Sequence, residues 1–241
     1  LGGIVRARGV ESRNGVIFLD AGPGGDLAVS GKLDVTAATG GTGGRIAATG
    51  ATVSLLAGAL ADASGAEGGG TIVLGDMAAT AVVNVAPGAV VAADAASRGD
   101  GGAVRLFSSG QTRFAGSISA TGGDGGGNGG SAEISSTGSV IMNSSDIRLT
   151  APAGRAGTVI LDPTDLTIAH QPDSANVVSD FTLYNLLAAG NNVSLAASND
   201  LTVAAVIEGR GGVPGGSVTL GAGHNLLVQN HILTNNGAIT L

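Results

Sequence analysis

The densest group of side chains that could do acid–base chemistry lies between residues 162 and 180. It consists of four aspartates and one histidine, namely Asp162, Asp165, Asp173, Asp180 and His170. Carboxylates that converge on a sugar, with a base or a metal beside them, can cleave a glycosidic bond. The same residue types also form turns and helix caps. We favour that structural interpretation here.

Two histidines and a glycine-rich run are the remaining candidates for metal binding. His224 and His231 fall in one repeat unit, where solvent-facing positions are a simpler interpretation than a metal site. The run from Gly122 to Gly130 reads GGDGGGNGG. Calcium-binding nonapeptide repeats need an Asp followed by an apolar residue in tandem copies, and this run lacks both features. We therefore expect a flexible turn between Gly122 and Gly129 that tolerates shortening and binds no calcium.

Other motifs point to little chemistry. Gly125, Gly127 and Gly130 satisfy the GxGxxG spacing, but no helix follows that could point its N-terminus at a phosphate. Asn143 and Asn192 lie in sequons, although polar turn or strand positions are the favoured interpretation. The chain has no cysteine, no GxSxG motif and no Ser-x-x-Lys motif. We therefore assign no catalytic, cofactor-binding or metal-ligating residue, and we expect neither a cofactor nor an enzyme.

The composition favours a narrow interior over a globular core. Among 241 residues there are 44 glycines, aromatic residues make up only 2%, and the hydrophobic fraction is nevertheless 43%. Small and branched apolar residues fill a β-helix layer by layer. The net charge is −7 without a basic cluster, which argues against a nucleic acid or an anionic membrane as partner. No apolar run reaches the roughly 18 residues that span a bilayer.

A strand-opening pattern recurs through the chain, in which two apolar residues at alternate positions follow a glycine or an asparagine. Apolar residues with a period of two predict a strand with one buried face, and the glycines predict turns. The pattern opens at nine positions: Gly15, Gly44, Gly70, Gly102, Gly130, Gly157, Asn191, Gly216 and Gly237. Each repeat therefore predicts one coil of a parallel β-helix.

A second recurrence lies later in each repeat, where an apolar residue follows two positions after a glycine or another small or polar residue. The apolar residues are Leu33, Leu60, Val90, Ile118, Ile147, Ile207 and Ile232. This recurrence predicts a further strand in each coil. From the combined pattern we expect five side chains to point inward: Val104, Leu106, Phe114, Ile118 and Ile134.

The repeats predict an all-β fold, a parallel β-helix (β-solenoid) of about nine coils with one interruption. Residues 1–161 form glycine-rich coils, residues 162–190 an excursion with a short helix packed on the flank, and residues 191–241 coils with a shorter repeat. All three parts belong to one continuous solenoid.

The excursion contains the one helix that the sequence predicts. Ser179 or Asp180 is expected to cap its N-terminus, and Gly190 to end it. The packed face is expected to carry four residues, with Leu183 and Leu186 beside them: Phe181, Tyr184, Leu187 and Ala188.

The chain opens on LGGIVRARGV and closes on GAITL, inside the repeat at both ends. We interpret it as a fragment of a longer protein. The uncovered end of a solenoid exposes unpaired strand edges, which can pair with another chain. We therefore expect the chain to associate end to end.

Two stretches carry a resemblance to a known family. One runs from Gly102 to Gly130 and continues in GTVILDPTDLTI, from Gly157 to Ile168; the other is GNNVSLAASNDLTV, from Gly190 to Val203, followed by GGSVTL. Together they resemble the filamentous-haemagglutinin-type large exoproteins of bacterial two-partner secretion systems, in the shaft region downstream of the secretion domain. The family's amino-terminal secretion domain, with its Asn-Pro-Asn-type motifs, is not found in these residues.

The resemblance implies a right-handed parallel β-helix, export to the bacterial cell surface or medium, and adhesion to a receptor or glycan. It also implies an outer-membrane transporter as partner, acting through an upstream domain. The sequence therefore supports a structural and adhesive shaft segment as the first hypothesis. A self-assembling extracellular filament or biofilm-matrix protein and a carbohydrate-active β-helix enzyme remain as alternatives.

Overall fold

The computed structural model describes residues 4–6, 15–209 and 216–241 and consists mainly of short strands. The first thirteen strands are β1 (Ile4–Arg6), β2 (Val16–Asp20), β3 (Asp26–Val29), β4 (Lys32–Asp34), β5 (Arg45–Thr49), β6 (Thr52–Leu55), β7 (Leu60–Asp62), β8 (Thr71–Gly75), β9 (Val82–Val85), β10 (Val90–Ala92), β11 (Ala103–Ser108), β12 (Gln111–Phe114) and β13 (Ser117–Ser119). The remaining elements are β14 (Ser131–Ser136), β15 (Ser139–Met142), β16 (Ile147–Arg148), β17 (Thr158–Asp162), β18 (Leu166–Ala169), β19 (Val177–Ser179), α1 (Asp180–Ala188), β20 (Asn192–Ala197), β21 (Asp200–Val203), β22 (Ile207–Gly209), β23 (Val218–Ala222), β24 (Asn225–Val228), β25 (Ile232–Thr234) and β26 (Ile239–Thr240).

The strands stack in parallel on three faces of a solenoid. The first face is a nine-stranded sheet in the order β2-β5-β8-β11-β14-β17-β20-β23-β26. The second face is β3-β6-β9-β12-β15, and the third is β1-β4-β7-β10-β13-β16. Beyond β15 the second face continues as β19-β18-β21-β24, and beyond the helix the third face continues as β22-β25. The solenoid makes about eight turns, which confirms the predicted all-β parallel β-solenoid of about nine coils.

Each predicted strand opening leads into one strand of the first face. The first apolar residues of the repeats align in a single column, which is buried from its first member to Val218 and exposed at Ile239: Ile17, Ile46, Ile72, Val104, Ala132, Val159, Val193, Val218 and Ile239. The five side chains expected to point inward are at most 1% exposed, so this prediction is confirmed. The alternation of inward and outward side chains fixes the register, because a slip by one residue would turn every apolar side chain outward.

The second recurrence is confirmed as a further strand in each of the seven coils, but in two of them the apolar residue that follows the glycine is not the inward one. Leu33 and Ile118 lie in the interior column of the third face, but there they align with Ala61 and Val91. Leu60 and Val90 each lie one residue earlier, and Val90 is 38% exposed. In both coils a β-turn precedes the strand, with its third residue, a glycine, at a φ of +79° or +78°. Such a turn adds residues, so the glycine no longer marks the start of the strand.

A glycine closes each of five successive coils before the first face begins, and in four of them a second glycine precedes it. The closing glycine donates its N–H to the carbonyl of the residue that follows the third-face strand, at 2.7–2.8 Å. The donor–acceptor pairs are Gly44–Val35, Gly70–Ala63, Gly102–Ala93, Gly130–Ala120 and Gly157–Leu149. A Cβ at any of these glycines would overlap the carbonyl oxygen of the equivalent residue in the preceding coil. Close packing of backbone against backbone therefore requires glycine here.

The predicted excursion at residues 162–190 divides into two parts. β18 stays in the wall of the solenoid and pairs with β21. The inserted segment 170–190 adds β19, which pairs with β18 in the same wall, and then the helix. Ser179 caps α1, as predicted, because its Oγ accepts the N–H of Thr182 at 3.0 Å. Gly190 follows the helix with a φ of +85°, which confirms its predicted role as the stop.

The predicted packed face of the helix is wrong in part. Thr182, Leu183, Leu186 and Leu187 are buried, and α1 packs against β22. Phe181 is instead 68% exposed and Tyr184 37% exposed. Both sides of this helix are apolar in sequence, so the sequence pattern could not select the buried one.

Two asparagines complete the faces that the insertion interrupts. Asn176 donates its N–H to the Val140 carbonyl at 2.9 Å and accepts the Val140 N–H on Oδ1 at 3.0 Å. The amide of Asn191 is fully buried, accepts the Leu149 N–H at 2.9 Å and donates to the Ile147 carbonyl at 2.8 Å. Each asparagine supplies the donor and the acceptor that a neighbouring strand would otherwise provide.

The closing glycines generate a stability prediction. In Gly102→Ala the new Cβ would overlap the Gly70 carbonyl oxygen and lie 2.8 Å from Cβ of Ala93. We expect a loss of about 1–3 kcal/mol in the free energy of unfolding, measured by denaturant titration, because the core cannot relax without opening the closing bond. Gly221→Ala is the matched control, since nothing lies within 4 Å of its Cβ position. Equal stabilities for the two variants would contradict the role given to the closing glycine.

Candidate functional site

Asp173 supports the start of α1. Its Oδ1 accepts the Ser179 N–H at 2.6 Å, and its Oδ2 accepts the Thr182 hydroxyl at 2.6 Å. Both oxygens are therefore used to hold the N-cap. This is the structural role that the sequence favoured for Asp173.

Asp165 belongs to a ladder of polar side chains at the corner between the first and second faces. It accepts a hydrogen bond from Nδ2 of Asn199 at 2.7 Å. Asp200 is the residue after Asn199. Its Oδ1 accepts hydrogen bonds from the backbone N–H and from Nδ2 of Asn225, and it lies 3.0 Å from Nδ1 of His224. Desolvation raises the pKa of Asp200, but the hydrogen bonds from Asn225 and His224 outweigh it and hold that pKa below its usual value. The ladder joins neighbouring coils.

The two histidines considered for metal binding lie on different corners. His224 precedes β24 and its side chain is 70% exposed, whereas the exposed His231 lies between β24 and β25. Within residues 15–209 and 216–241, no three His, Cys, Asp or Glu side chains are grouped so that they could hold a metal ion.

Asp162 has a perturbed carboxyl group. It lies half-buried on the outer face of β17, opposite Ser135, and burial raises its pKa above the usual value. A carboxyl of this kind suits a general acid. The acidic set nevertheless fails to converge, because Asp165, Asp173 and Asp180 are engaged in separate contacts.

A shallow groove beside α1 is the site that best combines charged and aromatic side chains. It has a volume of about 210 Å³ and is lined by His170, Asp180, Phe181, Tyr184, Val206 and Glu208. Nδ1 of His170 lies 2.7 Å from Oδ2 of Asp180. We refer to these six residues as the aromatic groove. The helix supplies its rings, and β22 with the residue before it supplies the opposite wall.

The sequence identified only part of this groove. His170 and Asp180 belonged to the candidate acid–base set, while Phe181 and Tyr184 were expected to be buried. Glu208 was not considered, because only the stacking of coils brings β22 next to the helix. One sequence signal could have identified the groove, namely that Phe181 and Tyr184, two of the chain's five aromatic residues, both lie in the insertion.

The glycine-rich run is not a flexible turn. Gly123 and Gly125 donate their N–H groups to the carbonyls of Gly99 and Ser97 in the preceding coil, at 3.0 and 2.8 Å. Asn128 bonds to the neighbours on both sides, donating its N–H to Asp100 and accepting the Arg155 N–H. These loops form a ridge along the shaft. Removing four residues would break contacts to both neighbouring coils, so the structure leads us to expect a loss of stability instead of the tolerance of shortening that the sequence predicted.

The remaining motifs are the GxGxxG spacing and the two sequons. The GxGxxG spacing at Gly125, Gly127 and Gly130 leads into strand β14, so no helix end is available for a phosphate. Asn192 donates Nδ2 to the Ala156 carbonyl and accepts the Ser217 N–H, which occupies its amide within the stack. The other sequon residue, Asn143, is exposed.

No protein-family model matches the chain, and a search of curated protein sequences finds no significant match. The helix in the described ranges lacks the length and apolar character that membrane spanning requires. The geometry of the solenoid and of the aromatic groove therefore carries the functional argument.

Asp162 generates a prediction about pH. Since burial raises its folded-state pKa, the neutral form favours folding below the unfolded pKa, and this stability is lost as the pH rises through the folded pKa. Asp162→Asn should raise the melting temperature at pH 7 by about 1–2 °C, a figure discounted for partial solvent exposure, and by nothing near pH 3. Asp124→Asn on the exposed ridge is the control. A pH-independent effect of Asp162→Asn would contradict the assignment.

Proposed function

We propose that the chain is a structural and adhesive shaft segment of a secreted bacterial surface exoprotein that mediates cell-surface or host/matrix adhesion. Export would use an outer-membrane transporter of the two-partner secretion type, acting through an upstream domain. The residues that resemble filamentous-haemagglutinin-type exoproteins support this proposal, because they form strands of the solenoid that stack in register with those of neighbouring coils. These strands are β11 to β14, β17, β18, β20 and β21.

The main support is the contrast between interior and exterior in the first face. Along the interior column, Leu106, Ile134 and Leu161 follow one another in register. The neighbouring outward column reads Arg105, Glu133 and Ile160. The interior therefore keeps one chemical character while the exterior changes from coil to coil. That arrangement suits a rod that presents varied surfaces along its length.

The dimensions also suit a spacer. Nine strands in one parallel sheet, at about 4.8 Å each, give a stack roughly 40 Å long. Each coil contacts mainly its two neighbours, so stability accumulates along the stack. The enzyme alternative is less well supported, because the acidic side chains in the described ranges are divided among separate contacts.

A coil deletion tests the shaft. Removing residues 105–132 joins Val104 to Glu133, so that Ile134 takes the interior place of Leu106 above Leu74. We expect this variant to keep a cooperative thermal transition. Removing residues 105–133 instead puts Ile134 in the outward place of Arg105, and this matched variant should not fold, because a one-residue slip inverts the strand. Equal stabilities would refute the modular shaft.

The same proteins test adhesion when coated on beads. We expect beads with the intact chain to attach to host cells or extracellular matrix more than beads with the frame-shifted variant. Release of reducing ends from polysaccharides without attachment would overturn the proposal and support the carbohydrate-active enzyme.

The filament alternative rests on apolar side chains at one end of the described stack. Five are at least 36% exposed there, namely Leu227, Val228, Leu233, Ile239 and Leu241. A second copy stacked end to end would cover them and pair with β26.

End-to-end association is measurable by sedimentation over a range of concentrations. We expect reversible association that Leu233→Lys weakens about tenfold, equivalent to about 1.4 kcal/mol, because a charge would be buried at the junction. Val90→Lys is the control, since Val90 is 38% exposed on β10, which has a neighbouring strand on both sides. A chain that stays monomeric at high concentration would exclude the filament.

A further inference from the structure

We propose that the aromatic groove binds an arginine side chain of a basic partner protein. This deepens the proposed adhesive function, on which its biological meaning rests. The binding itself can be measured on the isolated chain, independently of adhesion.

The charges of the groove favour a cation. Asp180 of α1 and Glu208 of β22 both line the groove, and among the lining residues that the structure describes His170 is the one basic side chain. That histidine is already hydrogen-bonded to Asp180. The whole chain carries a net charge of −7, which favours encounter with a basic protein.

The two rings favour the same class of ligand. Phe181 and Tyr184 lie three residues apart on a helix, so their side chains are neighbours. Ring faces attract cations, and arginine is the side chain found on them more often. A guanidinium also forms paired hydrogen bonds with a carboxylate, whereas the lysine ammonium is a compact, strongly hydrated charge. Aromatic and acidic walls together therefore fit arginine better than lysine.

The rings are held in place before a ligand arrives. Leu183, Leu186 and Leu187 anchor the opposite side of the helix in the core, each at most 1% exposed. The Ser179 cap fixes the first turn, from which Phe181 projects. A platform that is ordered in advance loses little conformational entropy on binding.

Tyr184 provides a selective probe, because it is the only tyrosine and the chain has no tryptophan. The ligand is a capped Gly-Arg-Gly-Arg-Gly peptide, titrated while tyrosine fluorescence is followed. The comparison peptide carries citrulline, the neutral isostere, in place of each arginine. We expect a saturable fluorescence change with the arginine peptide, weakened by salt, and none with the citrulline peptide.

Variants assign the binding to the groove. Phe181→Leu and Glu208→Gln should each weaken binding about threefold. Asp124→Asn removes a distant charge and should leave binding unchanged. Thermal melts establish that each variant is folded, and Glu208→Gln avoids any effect of Asp180 on the start of the helix.

Several outcomes would overturn the proposal. Equal binding of the citrulline peptide would exclude recognition of the cation, and equal weakening by Asp124→Asn would show non-specific electrostatics. A fluorescence change with neutral oligosaccharides but not with the arginine peptide would assign the groove to sugars. Saturable arginine binding without bead adhesion would leave this proposal intact while refuting the adhesive function.

Discussion

One hydrogen bond closes each of five successive coils, and the rest of the solenoid depends on it. The carbonyl after the third-face strand accepts the N–H of the closing glycine at 2.7–2.8 Å. This bond separates the chain into an interior of fixed geometry and a loop that projects beyond it. Because the bond fixes the corner, the projecting loops differ in length without disturbing the columns inside. The variable repeat length and the constant core therefore have one cause.

The coil that contains the inserted segment 170–190 is also closed by a backbone hydrogen bond, but between different residues. In the coil that opens at Gly157, a helix replaces the third strand, and the backbone N–H of Asn191 donates to the Leu186 carbonyl at 3.3 Å. The Asn191 side chain also bonds to Ile147 and Leu149, so the third face loses a strand without leaving buried polar groups unsatisfied. The aromatic groove can therefore be carried in the wall of the rod while the first face continues past it.

The sequence predicted the features that depend only on the alternation of inward and outward residues along a strand. The nine strand openings and the inward side chains follow from a period of two, because the narrow interior admits only one face of each strand. At Leu60 and Val90 the second recurrence falls one residue before the interior column, because a glycine in a turn and a glycine at a close backbone approach look the same in sequence. The ridge was missed for a related reason, since hydrogen bonds between stacked loops involve the backbone and have no residue signature. Glu208 joined the groove only through the stacking of coils.

The closing bond also limits where specific recognition can develop on such a rod. Residues of the strands must alternate, and their outward side chains are spaced on a flat lattice set by the neighbouring coils. The ridge is constrained as well, because its glycines contact carbonyls of the adjacent loop and exclude larger residues. Neither limit applies to the segment 170–190, since the side chains of its helix do not alternate as those of a strand do and its two rings project from the wall. A concave site with two rings and two carboxylates can form there because the coil closes behind it.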